Sequence, residues 1–214
     1  EYFPAMQELL CDMLRPSLDP KEFDMEKKVI LEEIALYEDR PHFYLFEHAM
    51  LDFFEGHPAG NSVLGSNSSV GALSRDQMKA YFDRRYGPGN LVLVAAGNYD
   101  WERFVRDAEK HCGSWTGPEA SRDTARHRSR PMSREYRKKE IKQAHLLLMA
   151  DAASAQDEER YPLTILSMIL GDSSGSKIYW QLIDSGLVES AGAECDERDG
   201  TGVLLASASM EPER

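Results

Sequence analysis

Hydrophobic positions recur at helical spacing through most of the first half of the chain. Residues 5–14 make one candidate helix, which the Pro16 to Pro20 stretch ends. Phe23, Ile30, Ile34 and Tyr37 then share one face of a second helix, predicted from about Lys21 to Glu38. Pro41 suits the first turn of a third, His42 to Phe54. A Gly/Asn/Ser-rich loop follows from Gly56 to Ser69, with His57-Pro58-Ala59-Gly60 inside it. Ser74 is a good N-cap for a helix ending near Tyr86. The uninterrupted apolar run LVLVAAG, residues 91–97, predicts a buried strand, and WERFVRDAEKHC, residues 101–112, a further helix.

From Gly113 to Met132 the periodicity stops, and the polar, Gly- and Pro-interrupted stretch reads as a linker. A strand is expected at Tyr136 to Lys139, then another in QAHLLLMADA. Two helices, DEERYPLTILSMIL and SKIYWQLIDSG, precede two strands near 189–196 and 202–210. The class is therefore α+β, segmented as residues 1–116, a linker at 117–133, and residues 134–214. Both ends of the chain look cut, since Glu1 leads straight into a helix and the second unit stops mid-course.

Composition narrows the function. With 214 residues, 42% hydrophobic and 29% charged, the chain can bury a sizeable core. A net charge of −12 argues against a nucleic-acid partner, because phosphate backbones select positive surfaces. The charge is uneven: nine Lys and Arg lie between Arg122 and Lys142. No apolar run is long enough to span a bilayer, and no secretory leader opens the chain; the compartment is not legible, with the cytoplasm slightly favoured. Cys11, Cys112 and Cys195 are odd in number and outside any C-x-x-C pair, which predicts buried structural thiols rather than a disulfide framework.

The stretch HFYLFEH, His42 to His48, differs by one letter from the zinc signature H-x-x-E-H, with Tyr44 in place of the first histidine. Two histidines gripping one ion from a helix need a spacing of four. His42 and His48 are six apart, about 120° around the axis, and a phenol is a poor zinc ligand. The near-motif is a decoy. Glu26 and Glu33 are better placed, since a spacing of seven leaves them within about 20° on one helical face. Glu22 and Glu32 lie close by, and on spacing alone a Glu-rich helix is most often a solvated face. His57 suits a loop turn, His145 a strand-edge position, and GDSSGSK a helix stop and restart rather than a phosphate loop.

Four stretches in order carry a resemblance. EKKVILEEI, HPAGNSVLG, YGPGNLVLVAAGN and RYPLTILSMILGDSSGSKIYWQLIDSGL together resemble the M16 metallopeptidases, the family of pitrilysin, insulin-degrading enzyme and the mitochondrial processing peptidases. The resemblance implies two homologous αβ domains, the later part of the first in residues 1–116 and the earlier part of the second in 134–214. It implies a zinc-dependent endopeptidase acting on peptides or small unfolded proteins. In that family two histidines of H-x-x-E-H and a downstream glutamate hold the zinc. By that pattern Glu33 is the third zinc ligand and Glu26 its supporting partner. The H-x-x-E-H itself would lie upstream of this chain, which alone is expected to be inactive.

One departure stands out. Where many members carry an Arg and a Tyr seven residues apart, anchoring on Gly186-Leu187 gives Leu182 and Glu189. A second M16-like subunit, in a homodimer or heterodimer, could supply that pair. The rival expectation is a non-catalytic M16-like subunit that binds substrate or supports an active partner. Substrate-binding residues are not legible.

Overall fold

The computed structural model describes residues 2–122, 124–139 and 141–212. Helices α1 (Phe3–Met13), α2 (Pro20–Glu38), α3 (Pro41–Phe54), α4 (Asn67–Ala72), α5 (Arg75–Arg85) and α6 (Trp101–Cys112) occupy the first half. Strand β1 (Ala144–Asp151), helix α7 (Arg160–Gly171), and strands β2 (Ser190–Arg198) and β3 (Thr201–Met210) follow. The chain divides into two compact units. One comprises residues 1–31 with 68–121, the other residues 32–67 with 122–214. This division differs from the linear segmentation at residues 117–133, because it cuts within α2 and again after Asn67.

The first unit is helical. Phe3, Gln7 and Cys11 stand at four-residue spacing on α1 and face α6. Gln7 is 2% exposed and donates to the Phe104 carbonyl at 2.9 Å. Phe3 stacks on Tyr99 with centroids 5.5 Å apart, and Tyr99 meets Phe104 edge-on. Lys27 donates to the Gly71 and Leu73 carbonyls at 2.6 and 2.8 Å, satisfying acceptors that the end of α4 leaves open. Ser74 caps α5 in a full capping box with Gln77.

The second unit sets helices against a three-stranded antiparallel sheet of order β1-β3-β2. Central β3 pairs along its length with both neighbours, from Asp151↔Val203 to Ala144↔Met210 on one side. Phe46, Met50, Phe53 and Phe54 form one stripe of α3 and bury against Val203 and Leu205 of β3. Leu147 and Met149 of β1 join that core, whereas the alternate Leu146 and Leu148 face solvent, as the two-residue period of a strand requires. Gly171 closes α7 against β2: a Cβ there would lie 2.3 Å from the Ala193 nitrogen.

Three expectations change. Residues 91–96 are extended but unpaired among the described residues, with Val92 88% and Val94 78% exposed. A run of apolar residues becomes a strand only where a neighbour supplies its ladder, and no described strand does. Tyr136 to Lys139 is likewise not a strand; its side chains dock on helices instead. The predicted helix at 176–186 begins at Lys177, widens into a π turn at Tyr179–Ile183 and stops at Gly186, whose φ of +69° suits glycine. The 56–69 loop also holds the short turn Pro58–Gly60 and the start of α4.

Candidate functional site

Glu26 and Glu33 both lie on α2, which is helical without interruption from Pro20 to Glu38. Glu26 belongs to the first compact unit and is exposed; Glu33 belongs to the second and is half-buried beside Ile34, itself 4% exposed. Among the described residues neither carboxylate is engaged by a hydrogen bond or ion pair. Glu33 is therefore an oxygen donor of the type zinc accepts, with its lone pairs uncommitted. One donor cannot hold the ion, and no group of three or more His, Cys, Asp or Glu among the described residues could do so. The residues present fit one corner of a zinc site and not the whole.

His48, His57, His127 and His145 are hydrogen-bonded within the fold. His48 turns its Nδ1 back to the Tyr44 carbonyl of its own helix at 2.9 Å and stacks on the Tyr44 ring. That posture commits Nδ1 within α3. His42 faces His145 with ring centroids 6.4 Å apart, and His145 Nδ1 lies 2.8 Å from the Ser209 hydroxyl. Burial, with a smaller contribution from His42, lowers the pKa of His145 and favours its neutral form. His57 accepts from the Ala59 amide through Nδ1 while its Nε2 contacts the Ala125 carbonyl at 3.1 Å. The first bond fixes the proton on Nε2, so His57 pins residue 125 to the Pro58–Gly60 turn.

Leu182 lies within the π turn, and Glu189 is exposed at the start of β2, where its amide donates to the Ser209 carbonyl. Neither side chain can replace a cationic or phenolic group. Of the basic stretch, Arg126 pairs with Asp157 at 2.6 Å, Arg134 with Asp52 at 3.5 Å, and Lys138 with Asp39 at 3.6 Å. The positive charges there fasten an extended segment to its own unit.

Sequence reasoning missed two arrangements. Tyr136 donates to Asp52 Oδ2 at 2.5 Å, and the Cys11 and Cys112 sulfurs lie 3.3 Å apart. Both join residues far apart in the chain, so no local pattern announces them. A cleft of about 210 Å³ in the second unit is lined by Ile34, Tyr37, Phe43, His48, Leu51 and Leu64 among others. No helix among the described residues is long and apolar enough to cross a membrane.

The chain is 33% identical over 193 residues to an uncharacterised zinc protease of Streptomyces coelicolor, covering 84% of this chain and 41% of that one. It is 29% identical to the uncharacterised zinc protease YmxG of Bacillus subtilis, over 92% of this chain and 48% of that one. The chain thus spans about half the length of the curated relatives it matches. Among solved structures, a protease from Helicobacter pylori superposes with a TM-score of 0.86 at 17% identity, over 99% of this chain and 53% of that one. A peptidase M16 inactive domain from Pseudomonas fluorescens gives 0.85 at 16%, over 97% and 51%. At those identities the likeness concerns the α+β fold. The family model described as "Peptidase M16 inactive domain" matches residues 72–214, more than half of the sequence, and the chain belongs to the M16 peptidase family.

Proposed function

We propose that this chain is part of a zinc-dependent metalloendopeptidase that hydrolyses peptides or small unfolded proteins, with Glu33 as a zinc ligand. The observation that carries the reading is the uncommitted, half-buried Glu33 carboxylate on an unbroken helix. The stretch described as inactive begins at residue 72, so both glutamates stand upstream of it. Glu26, two helical turns before Glu33, takes the supporting place. Residues 1–116 then contribute the later part of a first M16-like domain and residues 134–214 the earlier part of a second.

Zinc held by two imidazoles and a carboxylate would keep a position open for water and lower its pKa, so that a carboxylate base could take its proton near neutral pH. This chain's part is to present the carboxylate on a rigid element. A supporting carboxylate that orients a ligand is worth roughly 10- to 100-fold in metal affinity. The remaining ligands and the general base come from an H-x-x-E-H outside these residues, so the 214-residue chain by itself is inactive.

The test is the zinc content of the full-length parent protein beside its Glu33→Gln variant. Stoichiometric zinc that falls sharply in Glu33→Gln, with the helical signal unchanged, supports the ligand assignment. Equal zinc in both removes Glu33 from the coordination sphere. No zinc in either favours the second reading, a non-catalytic M16-like subunit that binds substrate or supports an active partner. That reading draws on the description of the family model over residues 72–214 as an inactive domain; Leu182 and Glu189, standing where many members carry Arg and Tyr, fit both readings. Peptidase activity from the 214-residue chain alone would overturn the placement of the base and the other two ligands outside it.

A further inference from the structure

Cys11 and Cys112 belong to the two helices whose contact builds the first unit, α1 and α6. Their sulfurs lie 3.3 Å apart, with the Cys112 thiol donating to Cys11 Sγ. A disulfide bond is about 2.05 Å long, so the sulfurs need to approach by only roughly 1.2 Å. The helices are held in place around them by Gln7 and the Phe3, Tyr99 and Phe104 rings. Cys11 is 3% exposed, whereas Cys112 is half-buried at the last residue of α6, so a reagent meets Cys112 first. Neither motif nor spacing marks them as partners, because 101 positions separate them.

We propose that Cys11 and Cys112 are a reversible dithiol–disulfide site that a hydroperoxide closes, locking α1 to α6. The Cys112 thiolate attacks the outer oxygen of the hydroperoxide, and the O–O bond breaks. Cys112 becomes a sulfenic acid, and the leaving alkoxide takes up the thiol's proton to depart as an alcohol, or as water from hydrogen peroxide. The Cys11 sulfur then attacks Cys112 Sγ. The S–O bond breaks, the S–S bond forms, and the hydroxyl leaves as water with the Cys11 proton. Two electrons pass from the two thiols to the peroxide. A dithiol reductant reverses the reaction through a mixed disulfide.

The surroundings set the pace. Burial raises the Cys112 thiol to about 11, with further contributions from the hydrogen bond and charge of Cys11, while the nearby Arg15 guanidinium acts in the opposite direction. Arg15 is itself fixed by the Tyr86 carbonyl at 3.0 Å and by the Trp115 ring at 4.0 Å. The resting Cys112 thiol is thus protonated at neutral pH and protected from weak electrophiles.

The experiment treats the intact chain with hydrogen peroxide, counts thiols after unfolding, and maps cross-linked peptides by mass spectrometry without reduction. The expected result is a fall from three thiols to one, a peptide joining Cys11 to Cys112, an unreacted Cys195, and full reversal by dithiothreitol. Closure should speed up about tenfold per pH unit above neutrality, because the thiolate is the reactant. It should also raise the melting temperature by roughly 5 °C or more, since the bridge closes a long loop. A bridge that uses Cys195, a bridge between molecules, or oxidation of Cys112 beyond sulfenic acid with Cys11 still free would overturn the proposal. A Cys195→Ser chain should lose both remaining thiols, which keeps the test independent of variants at the helix contact.

Discussion

Tyr136 shows how one side chain ties an extended segment to a helix. Its hydroxyl donates to Asp52 on α3, and its ring meets those of Tyr44 and His48. Burial, then the hydrogen bond to Asp52 and the charge behind it, push the phenol up to about 12 from an ordinary 10.0. A raised phenol stabilises the folded chain fully below pH 10, and that contribution is lost as pH rises through about 12. Tyr136→Phe should therefore cost roughly 1 kcal/mol at pH 7 in a denaturant titration, and the two chains should converge above the folded value. A gap that widens with pH instead would mean the hydroxyl is not the stabilising group. Glu33 is a different case at the same scale. Its spacing from Glu26 was visible in the sequence, but a solvated acidic face has the same spacing. Only the resemblance to M16 peptidases favours the ligand reading over the solvated face.

Among the elements, most helices and the three strands of the second unit were legible nearly to the residue, whereas the strands expected at 91–97 and 136–139 and the regular helix expected at 176–186 did not form. WERFVRDAEKHC became α6 because a helix closes its own hydrogen bonds four residues away, and Asp100 caps it by accepting from Arg103. LVLVAAG had the composition of a strand but no partner, and a strand's bonds lie outside itself. β3 was legible in the same terms and did form, because β1 and β2 flank it. Two variants test what holds the elements. Ser74→Ala removes the acceptor for the Gln77 amide and should cost about 1 kcal/mol. Gly171→Ala drives a methyl group into the backbone of Ala193 and should cost about 1–3 kcal/mol, read as a lower denaturant midpoint with an unchanged slope. A fully stable Gly171→Ala chain would show that α7 can lift from β2 at little cost.

For the whole molecule, the order of predicted helices and strands set the α+β class, but exposed apolar surface was hidden until the chain was folded. Val92 and Val94 stand open on an extended segment whose amides have no ladder among the described residues, an arrangement that invites edge pairing with another copy. The isolated chain should self-associate as concentration rises, seen by light scattering after size exclusion. Replacing both valines with Ser should reduce that association several-fold without lowering the melting temperature. Association unchanged in the double variant would place the sticky surface elsewhere, as on the exposed side of α7. The interleaving of the two units has a further consequence, for the order of events on the ribosome. The backbone passes from one unit to the other three times, after residues 31, 67 and 121. Residues 2–31 therefore emerge without the surface they pack on, and wait while residues 32–67, which belong to the other unit, are made. α1 waits longer still, until α6 is made about 100 residues later; at about 5–20 residues per second that takes roughly 5–20 s, during which the face carrying Phe3, Gln7 and Cys11 stands open to any chaperone or neighbour within reach.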